Sequence, residues 1–328
     1  MRWSPRSLWR RLRAWLAERL GPGRGQWQDW VESTAVSGWT WWAMPWQRRE
    51  WRCALYQPPG LAATTPAPLV LLLHGCKQQA QPFARASGWV QAANQGGFRL
   101  LCPQQRKGAN LWGCWNWFHP AAQRGRGELD VVMQALARTQ AGWACTDVLA
   151  VGLSAGGGLA ALLAFHHAEA FTAVAAVAAP PLLGLGNLQD PRAVMRDGLV
   201  LAPEAAVRTL SACAPLLVLQ GAADTVVNPR CAEQLAAQAQ AVLARQHGPL
   251  TEQAHAGGSD WLDAEGRLQV RRLALPGLGH EWSGGLGGHA YVSADGPDLT
   301  AQVLAFWRAR NAASSAATSG SGRAASLR

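Results

Sequence analysis

The sequence predicts an α/β fold in which a mostly parallel central sheet carries helices on both faces. Short, continuously apolar runs such as LVLLL at 69–73 are typical of parallel strands that are buried on both faces. Segments with helical periodicity, such as 128–141, alternate with these runs along the chain. Hydrophobic residues make up 49% of the chain and charged residues only 15%, which supplies enough apolar material for a large core.

The predicted elements alternate in order along the chain. Strands are expected at 51–57, 69–73, 98–102, 147–151, 172–178, 215–220 and 268–275, and helices at 128–141, 156–167, 229–245 and 298–309. The stretch 181–212 shows no clear pattern, and no internal repeat is present. We therefore expect one α/β domain over 51–310, preceded by an N-terminal arm at 1–50 and followed by a disordered Ala/Ser/Gly-rich tail at 311–328.

The N-terminal arm has two unusual features. Residues 6–20 place leucines and tryptophans at helical spacing among arginines, which predicts a basic amphipathic helix. Such a helix is typical of segments that adsorb to a membrane or an apolar granule, and the alternative is a helix docked on its own domain. Tryptophans also cluster between 27 and 51, too many to bury under one small element, so some are expected to face a ligand, a surface or a partner.

The bulk composition excludes several classes of protein. The net charge of +10 comes almost wholly from arginine, and no basic stretch is interleaved with aromatics as in a nucleic-acid module, so no nucleic-acid partner is expected. The seven cysteines contain no C-x-x-C pair, and neither a metal nor an organic cofactor is expected. No apolar run reaches the roughly 18 residues of a membrane-spanning helix. Arginines and a glutamate interrupt the first twenty residues, which is not the pattern of a standard cleavable signal peptide.

The segment DVLAVGLSAGGGL at 147–159 is the most informative in the chain, because a predicted strand runs through GLSAG into a predicted helix. A nucleophile elbow needs this pattern: the serine occupies a strained strand-to-helix turn, and the glycines two residues before and after it keep side chains away from neighbouring backbone. Gly152, Ser154 and Gly156 fit that requirement. The motif predicts an α/β-hydrolase fold with Ser154 as the nucleophile, whereas the alternative is an ordinary glycine turn.

A serine nucleophile needs a base and an acid that orients the base. In α/β-hydrolases these follow in the order Ser, acid, His. Asp224 lies just beyond the strand predicted at 215–220, and His280 just beyond the strand at 268–275, so both are expected at the same edge of the sheet as the elbow. The alternatives are Asp190 and Asp197 for the acid and His289 for the base, while His166 and His167 lie on the helix after the elbow and are poorly placed.

Ester hydrolysis also needs hydrogen-bond donors for the developing oxyanion. The elbow itself supplies the backbone N–H of Ala155, the residue after the nucleophile. A second donor usually comes from the loop after an early strand, where LLLHGCKQ places the N–H of Cys76. Gly75 lets this backbone turn toward the nucleophile, although HG also occurs in simple tight turns.

Five blocks of the chain resemble the poly(3-hydroxybutyrate) depolymerase-like esterases, a family that includes LpqC-type, feruloyl and acetylxylan esterases. The resemblance runs from about Trp51 to Trp307, and its blocks are LLLHGCKQQAQPFARASGW, NLWGCWNWFHPAAQRGRGE, VGLSAGGGLAALLA, VLQGAADTVVNP and GLGHEWSGG. It implies the same three side chains and the same two amides, and a cofactor-free esterase acting on poly- or oligo-(3-hydroxybutyrate) or a similar short-chain ester. The alternatives are a feruloyl, acetylxylan or generic carboxylesterase substrate.

The resemblance has further implications for the cleft. It places Trp115 and Trp117 beside the active site, with Trp282 adding to the same apolar wall, although core packing is the alternative for each. It also implies that Cys114 can pair with Cys76. Members of the family are often secreted, so the extracellular space and the cytoplasm both stay open for this chain. A non-enzymatic alternative is an inactive hydrolase-like domain that coats a granule or membrane; a complete serine, acid and histidine set disfavours it. No oligomeric state is predicted.

Overall fold

The computed structural model describes residues 25–35, 48–186 and 189–321, and the strands of this part of the chain form a single sheet. In spatial order the sheet runs β1-β2-β4-β3-β5-β6-β7-β10-β9-β8. The strands are β1 Gln26–Ala35, β2 Arg48–Gln57, β3 Ala67–Leu73, β4 Arg99–Gln104, β5 Cys145–Leu153, β6 Ala173–Val177, β7 Leu216–Gly221, β8 Thr251–His255, β9 Gly258–Leu262 and β10 Leu268–Leu275.

Helices cover both faces of this sheet. They are α1 Ala80–Ala86, α2 Trp89–Gly96, α3 Pro120–Gln123, α4 Glu128–Gly142, α5 Ala155–His166, α6 Pro191–Asp197, α7 Pro203–Ala206, α8 Pro229–His247 and α9 Leu299–Ser321, with a short 3₁₀ turn at Ala168–Ala170. Helices α4, α5 and α8 contribute to the core on one face, and α1, α2 and α9 contribute to the core on the other. Within the described residues, no helix is both long and apolar enough to cross a bilayer.

The central strands explain why the sequence shows continuous apolar runs. The neighbours β4, β3, β5, β6, β7 and β10 are all parallel, and antiparallel pairs occur only toward the two ends of the sheet. Along β3, Leu69 and Leu71 face one core while Val70 and Leu72 face the other. Because helices cover both faces, every position of β3 is apolar. The predicted fold class, a mostly parallel sheet with helices on both faces, is confirmed.

The N-terminal arm differs from its prediction where the structure describes it. Residues 26–35 form β1, which pairs antiparallel with β2 along its whole length, and β2 begins at residue 48 rather than 51. The ring of Trp27 lies 5.1 Å from that of Tyr56, while Trp30 packs against the core on the opposite face. This part of the arm is therefore an edge strand of the sheet, and its two tryptophans pack against opposite faces. The helix predicted at 6–20 and the tryptophans between 36 and 47 lie outside the described residues.

Other differences concern segments without a strong apolar pattern. The final helix continues to Ser321, past the expected start of a disordered tail at 311, and alanine is the residue of this segment that favours helix. Residues 322–328 lie outside the described part of the chain. The stretch 181–212, which shows no periodicity, contains the short helices α6 and α7, and each begins with a proline at its first turn.

Candidate active site

Ser154 lies at the turn between β5 and α5 with φ 57° and ψ −119°, a conformation that side-chain-bearing residues rarely adopt. The flanking glycines are sterically required there. A Cβ atom on Gly152 would overlap the backbone of Gly156, and one on Gly156 would overlap the carbonyl of Leu73 on the neighbouring strand. The G-x-S-x-G pattern at 152–156 is therefore a packing requirement of this turn, as an elbow demands.

Three side chains form a hydrogen-bonded relay at the carboxyl edge of the sheet. His280 Nε2 lies 2.9 Å from Ser154 Oγ, and His280 Nδ1 lies 2.7 Å from Asp224 Oδ2. Because the carboxylate accepts at Nδ1, that nitrogen carries the proton and Nε2 is free to accept from the serine hydroxyl. The structure thus brings together Ser154, Asp224 and His280 in the arrangement that activates a serine for attack.

The environment of Asp224 keeps its carboxylate ionised. The residue is only 6% exposed. Burial alone would raise its pKa, but the hydrogen bond from His280 and the backbone N–H groups of Val226 and Val227, which donate to Oδ1 at 2.8 and 2.9 Å, outweigh burial and lower the pKa. Gln220 Nε2 also donates to Oδ2 at 2.9 Å. A carboxylate so held stays negative beside the imidazole and fixes its orientation.

The alternative acids and bases have other partners. In the described part of the chain, none of them makes a hydrogen bond to Ser154. Of the acids, Asp190 caps α6 and Asp197 forms an exposed ion pair with Arg196 at 2.7 Å. Of the histidines, His289 lies beside the carbonyl of Ala290, His166 bonds to the carbonyl of Gln123, and His167 begins the 3₁₀ turn after α5.

The loop after β3 lies directly against the elbow. A Cβ atom on Gly75 would be 3.6 Å from Ser154 Cβ and 3.3 Å from the Leu153 carbonyl oxygen, so Gly75 packs closely against the Ser154 turn. The next residue, Cys76, is disulfide-bonded to Cys114 with the Cα atoms 4.2 Å apart, which confirms the pairing implied by the family resemblance. This bridge ties the loop after β3 to the segment GCWNWF.

Two backbone N–H groups beside the elbow have no internal acceptor. Ala155 begins α5, where an N–H has no intrahelical partner. Among the hydrogen bonds of the described residues, none uses the N–H of Ala155 or that of Cys76 as donor. Both amides are therefore available to a ligand atom, as the two predicted oxyanion donors must be.

The three tryptophans expected to line the cleft are core residues, so this prediction is wrong. Trp115 and Trp282 are 0% exposed and Trp117 is 3% exposed. Trp282 packs between Phe83 and Trp89 beneath α1 and α2, on the face of the sheet that those helices cover. An indole ring fills a core as well as it lines a cleft, so sequence proximity to His280 or Cys114 does not distinguish the two.

Several residues near the relay carry no recognisable sequence signal. Tyr291 is 37% exposed, and its ring meets that of His280 edge-on, with centroids 5.7 Å apart. Tyr291 has φ 55°. The other non-glycine residues with positive φ in the described chain are Lys77, Ser154 and Ala178, which lie after strand ends at this edge. Strained backbone therefore concentrates around the relay, as is common at active sites.

Within the described residues, no cluster of three or more His, Cys, Asp or Glu side chains could hold a metal ion.

The sheet order and the elbow define an α/β-hydrolase fold, and the relay at the strand ends is its candidate nucleophile site. Among solved structures, the chain is similar to an acetyl xylan esterase from Aspergillus awamori, with a TM-score of 0.61, 15% identity, and coverage of 84% of this chain and 99% of the other. The chain belongs to the family described as Esterase PHB depolymerase, whose model matches residues 51–248.

Two curated relatives carry depolymerase names. A poly(3-hydroxyalkanoate) depolymerase C from Paucimonas lemoignei is 33% identical over 151 residues, which cover 45% of this chain and 36% of the relative. A poly(3-hydroxybutyrate) depolymerase from Ralstonia pickettii is 24% identical over an alignment that covers 98% of this chain and 70% of the relative. The first alignment thus spans little more than a third of its relative's length.

Proposed function

We propose that this protein is a serine esterase that hydrolyses ester bonds of poly- or oligo-(3-hydroxybutyrate) or of similar short-chain esters. The observation that carries the proposal is the continuous relay from Ser154 Oγ through His280 to Asp224, at 2.9 and 2.7 Å, on a strained elbow. The family match supports ester hydrolysis, and the names of the two curated relatives favour a polyester.

The geometry suggests the course of the reaction. Ser154 Oγ attacks the ester carbonyl while His280 Nε2 takes the hydroxyl proton, and Asp224 stabilises the imidazolium that results. The N–H groups of Cys76 and Ala155 donate to the oxyanion of the tetrahedral intermediate. When that intermediate collapses, His280 returns the proton to the leaving alcohol. Water then attacks the acyl-enzyme by the same proton transfers, which releases the acid and restores Ser154.

The loops that carry the relay favour an apolar substrate. Val226, two residues after Asp224, is 47% exposed, and Tyr291 beside His280 is 37% exposed. Leu111 and Trp112, in the loop that ends at the disulfide, are 97% and 53% exposed. Exposed apolar side chains on the loops of Asp224 and His280, and on the segment that the disulfide ties to the loop after β3, suit an extended aliphatic ester, since each contact removes apolar surface from water.

The catalytic assignment is tested by covalent labelling and kinetics. Ser154→Ala should abolish both fluorophosphonate labelling and ester turnover while leaving the thermal midpoint intact. Asp224→Asn and His280→Ala should each lower kcat by about 10⁴-fold, as expected when the tautomer is wrong or the base is absent. Asp197→Asn serves as the matched control, because that carboxylate is exposed and, among the described residues, forms its ion pair with Arg196. Near-normal turnover by Ser154→Ala would refute the mechanism.

The substrate is tested by a panel measured at equal active-site titre. The panel contains 3-hydroxybutyrate oligomers, p-nitrophenyl butyrate, acetylated xylan and methyl ferulate. The proposal expects the highest kcat/KM on the hydroxybutyrate oligomers. Preference for acetylated xylan or methyl ferulate would replace the polyester with a plant-wall ester. Absence of both labelling at Ser154 and turnover of any ester would favour a surface-binding role.

A further inference from the structure

We propose that His74 and Gln78 are positioning residues that hold the Gly75–Cys76 peptide so that the Cys76 N–H faces the reacting carbonyl. The inference rests on the proposed function, because it concerns the second oxyanion donor of the same site. It assigns roles to two buried polar side chains whose hydrogen bonds, among the described residues, do not include one to Ser154.

His74 holds the carbonyl side of this peptide. Its ring is 0% exposed, with Nδ1 2.7 Å from the Gly75 carbonyl oxygen and Nε2 3.1 Å from the backbone nitrogen of Gln105. The Gln105 N–H can only donate, so Nε2 accepts; we therefore assign the ring proton to Nδ1, which donates to Gly75. Burial lowers the pKa of His74 to about 4, so at neutral pH the ring is the neutral tautomer that this arrangement needs.

The planarity of the peptide bond carries this constraint to the oxyanion donor. In a trans peptide the carbonyl and the following N–H point in opposite directions, so fixing the Gly75 carbonyl also fixes the direction of the Cys76 N–H. Among the hydrogen bonds of the described residues, that N–H has no acceptor, although the preceding residue lies against the Ser154 turn. The bond from His74 therefore leaves the amide both oriented and free.

Gln78 holds the other side of Gly75. It is 4% exposed, and its Oε1 accepts the Gly75 N–H at 2.7 Å while its Nε2 donates to the Ala290 carbonyl at 2.6 Å. One carboxamide thus joins the loop after β3 to the loop that carries Tyr291, whose ring lies against His280. Both backbone polar groups of Gly75 are taken by buried side chains, so the loop has little freedom to turn its peptide away.

The chain contains a matched residue for comparison. Gln238 on α8 is 0% exposed and makes the same pair of bonds, accepting from the Leu182 N–H at 2.9 Å and donating to the Leu182 carbonyl at 2.8 Å. It clamps a backbone segment as Gln78 does, but it makes no hydrogen bond to the relay or to the loop after β3. Loss of Gln238 should therefore affect stability without affecting the oxyanion donors.

The test uses a pair of esters and a pair of substitutions at one position. In a thiono ester, sulfur replaces the carbonyl oxygen and accepts hydrogen bonds poorly, so the ratio of kcat on p-nitrophenyl butyrate to kcat on its thiono analogue reports the oxyanion donors. His74→Asn places an amide N–H near the position of Nδ1. His74→Gln carries the same group one methylene further out, at the position of Nε2, and cannot donate to Gly75. The other variants are Gln78→Met and the control Gln238→Met.

The expected results separate positioning from packing. His74→Gln and Gln78→Met should lower kcat on the oxygen ester by about 10- to 100-fold, less than the 10²–10³ typical of outright loss of a donor, with KM changed by less than about threefold. Their oxygen-to-sulfur ratio should fall, whereas His74→Asn should retain most of the wild-type ratio. Gln238→Met should lower the thermal midpoint and keep the ratio.

Two outcomes would overturn the inference. One is that the folded Asn and Gln variants at position 74 have equal ratios; the other is that folded Gln78→Met keeps the wild-type ratio. Failure of the proposed function looks different: the wild-type protein itself would then neither label at Ser154 nor hydrolyse the oxygen ester.

Discussion

Replacing Trp282 by alanine should destabilise the protein without weakening substrate binding. The side chain is 0% exposed, packs against Phe83 and Trp89 at centroid distances of 5.7 and 6.0 Å, and donates from Nε1 to Thr300 Oγ1 at 3.1 Å. Deleting a buried tryptophan costs about 3–5 kcal/mol. At about 2 °C per kcal/mol for a domain of this size, the thermal midpoint should fall by about 6–10 °C.

The assay combines a thermal melt with KM on p-nitrophenyl butyrate, measured well below the midpoint of the variant. KM should stay within about twofold, because the ring does not reach the surface. The matched control is Trp112→Ala, whose ring is 53% exposed: its midpoint should change by less than about 2 °C. If Trp282→Ala instead kept its midpoint and raised KM severalfold, the ring would belong to the cleft and the core assignment would be refuted.

Four further results are expected. Gly156→Ala should lose stability and labelling because its Cβ would overlap β3 backbone, whereas Gly142→Ala, with open space around it, should melt like the wild type. Cys114→Ser opens a loop with a sequence separation of 38, so the free energy of unfolding should fall by about 4 kcal/mol, and kcat should fall with it; an unchanged melt would contradict this. The pKa of Asp224 is lowered on folding, so its ionised carboxylate stabilises the folded protein above the ordinary aspartate pKa near 3.9. This stabilisation is lost as pH falls through the pKa of Asp224 in the folded state. Asp224→Asn should therefore reduce the difference between the urea midpoints measured at pH 6 and at pH 3. Adsorption by the N-terminal segment stays a prediction. Deleting residues 1–24, which lie ahead of β1, should leave hydrolysis of a soluble ester unchanged and reduce binding to polyester particles. Unchanged binding would contradict the adsorption hypothesis.

The relay positions were predictable from the sequence because topology constrains them. Ser154 and Asp224 follow strands rich in buried apolar residues, whereas His280 follows the more polar strand β10. Parallel strands end at one edge of the sheet, so all three residues lie at that edge. Chain order then leaves few alternatives. The same argument located Cys76, since it also follows such a strand.

Features that depend on two-sided or long-range contacts were not predictable. Whether Trp115 or Trp282 faces the core or a cleft depends on which helix covers it, and that information is not local. Strand β1 lacks a regular alternation because Trp27 and Trp30 bury against opposite faces at the end of the sheet. The role inferred for Gln78 depends on a contact with Ala290, which lies 212 residues away in the sequence.

The positive φ of Ser154 has a consequence for the energetics of inactive variants. A non-glycine residue held in such a sparsely populated conformation costs about 1–3 kcal/mol relative to a relaxed backbone, and glycine largely avoids this cost. Ser154→Ala removes the proposed nucleophile but keeps this conformational cost, whereas Ser154→Gly removes both. The glycine variant should therefore be an inactive protein that resists unfolding better than the alanine variant, and a suitable trap for bound intact ester. At this turn, the geometry that supports attack and the conformation that the backbone prefers are in direct opposition.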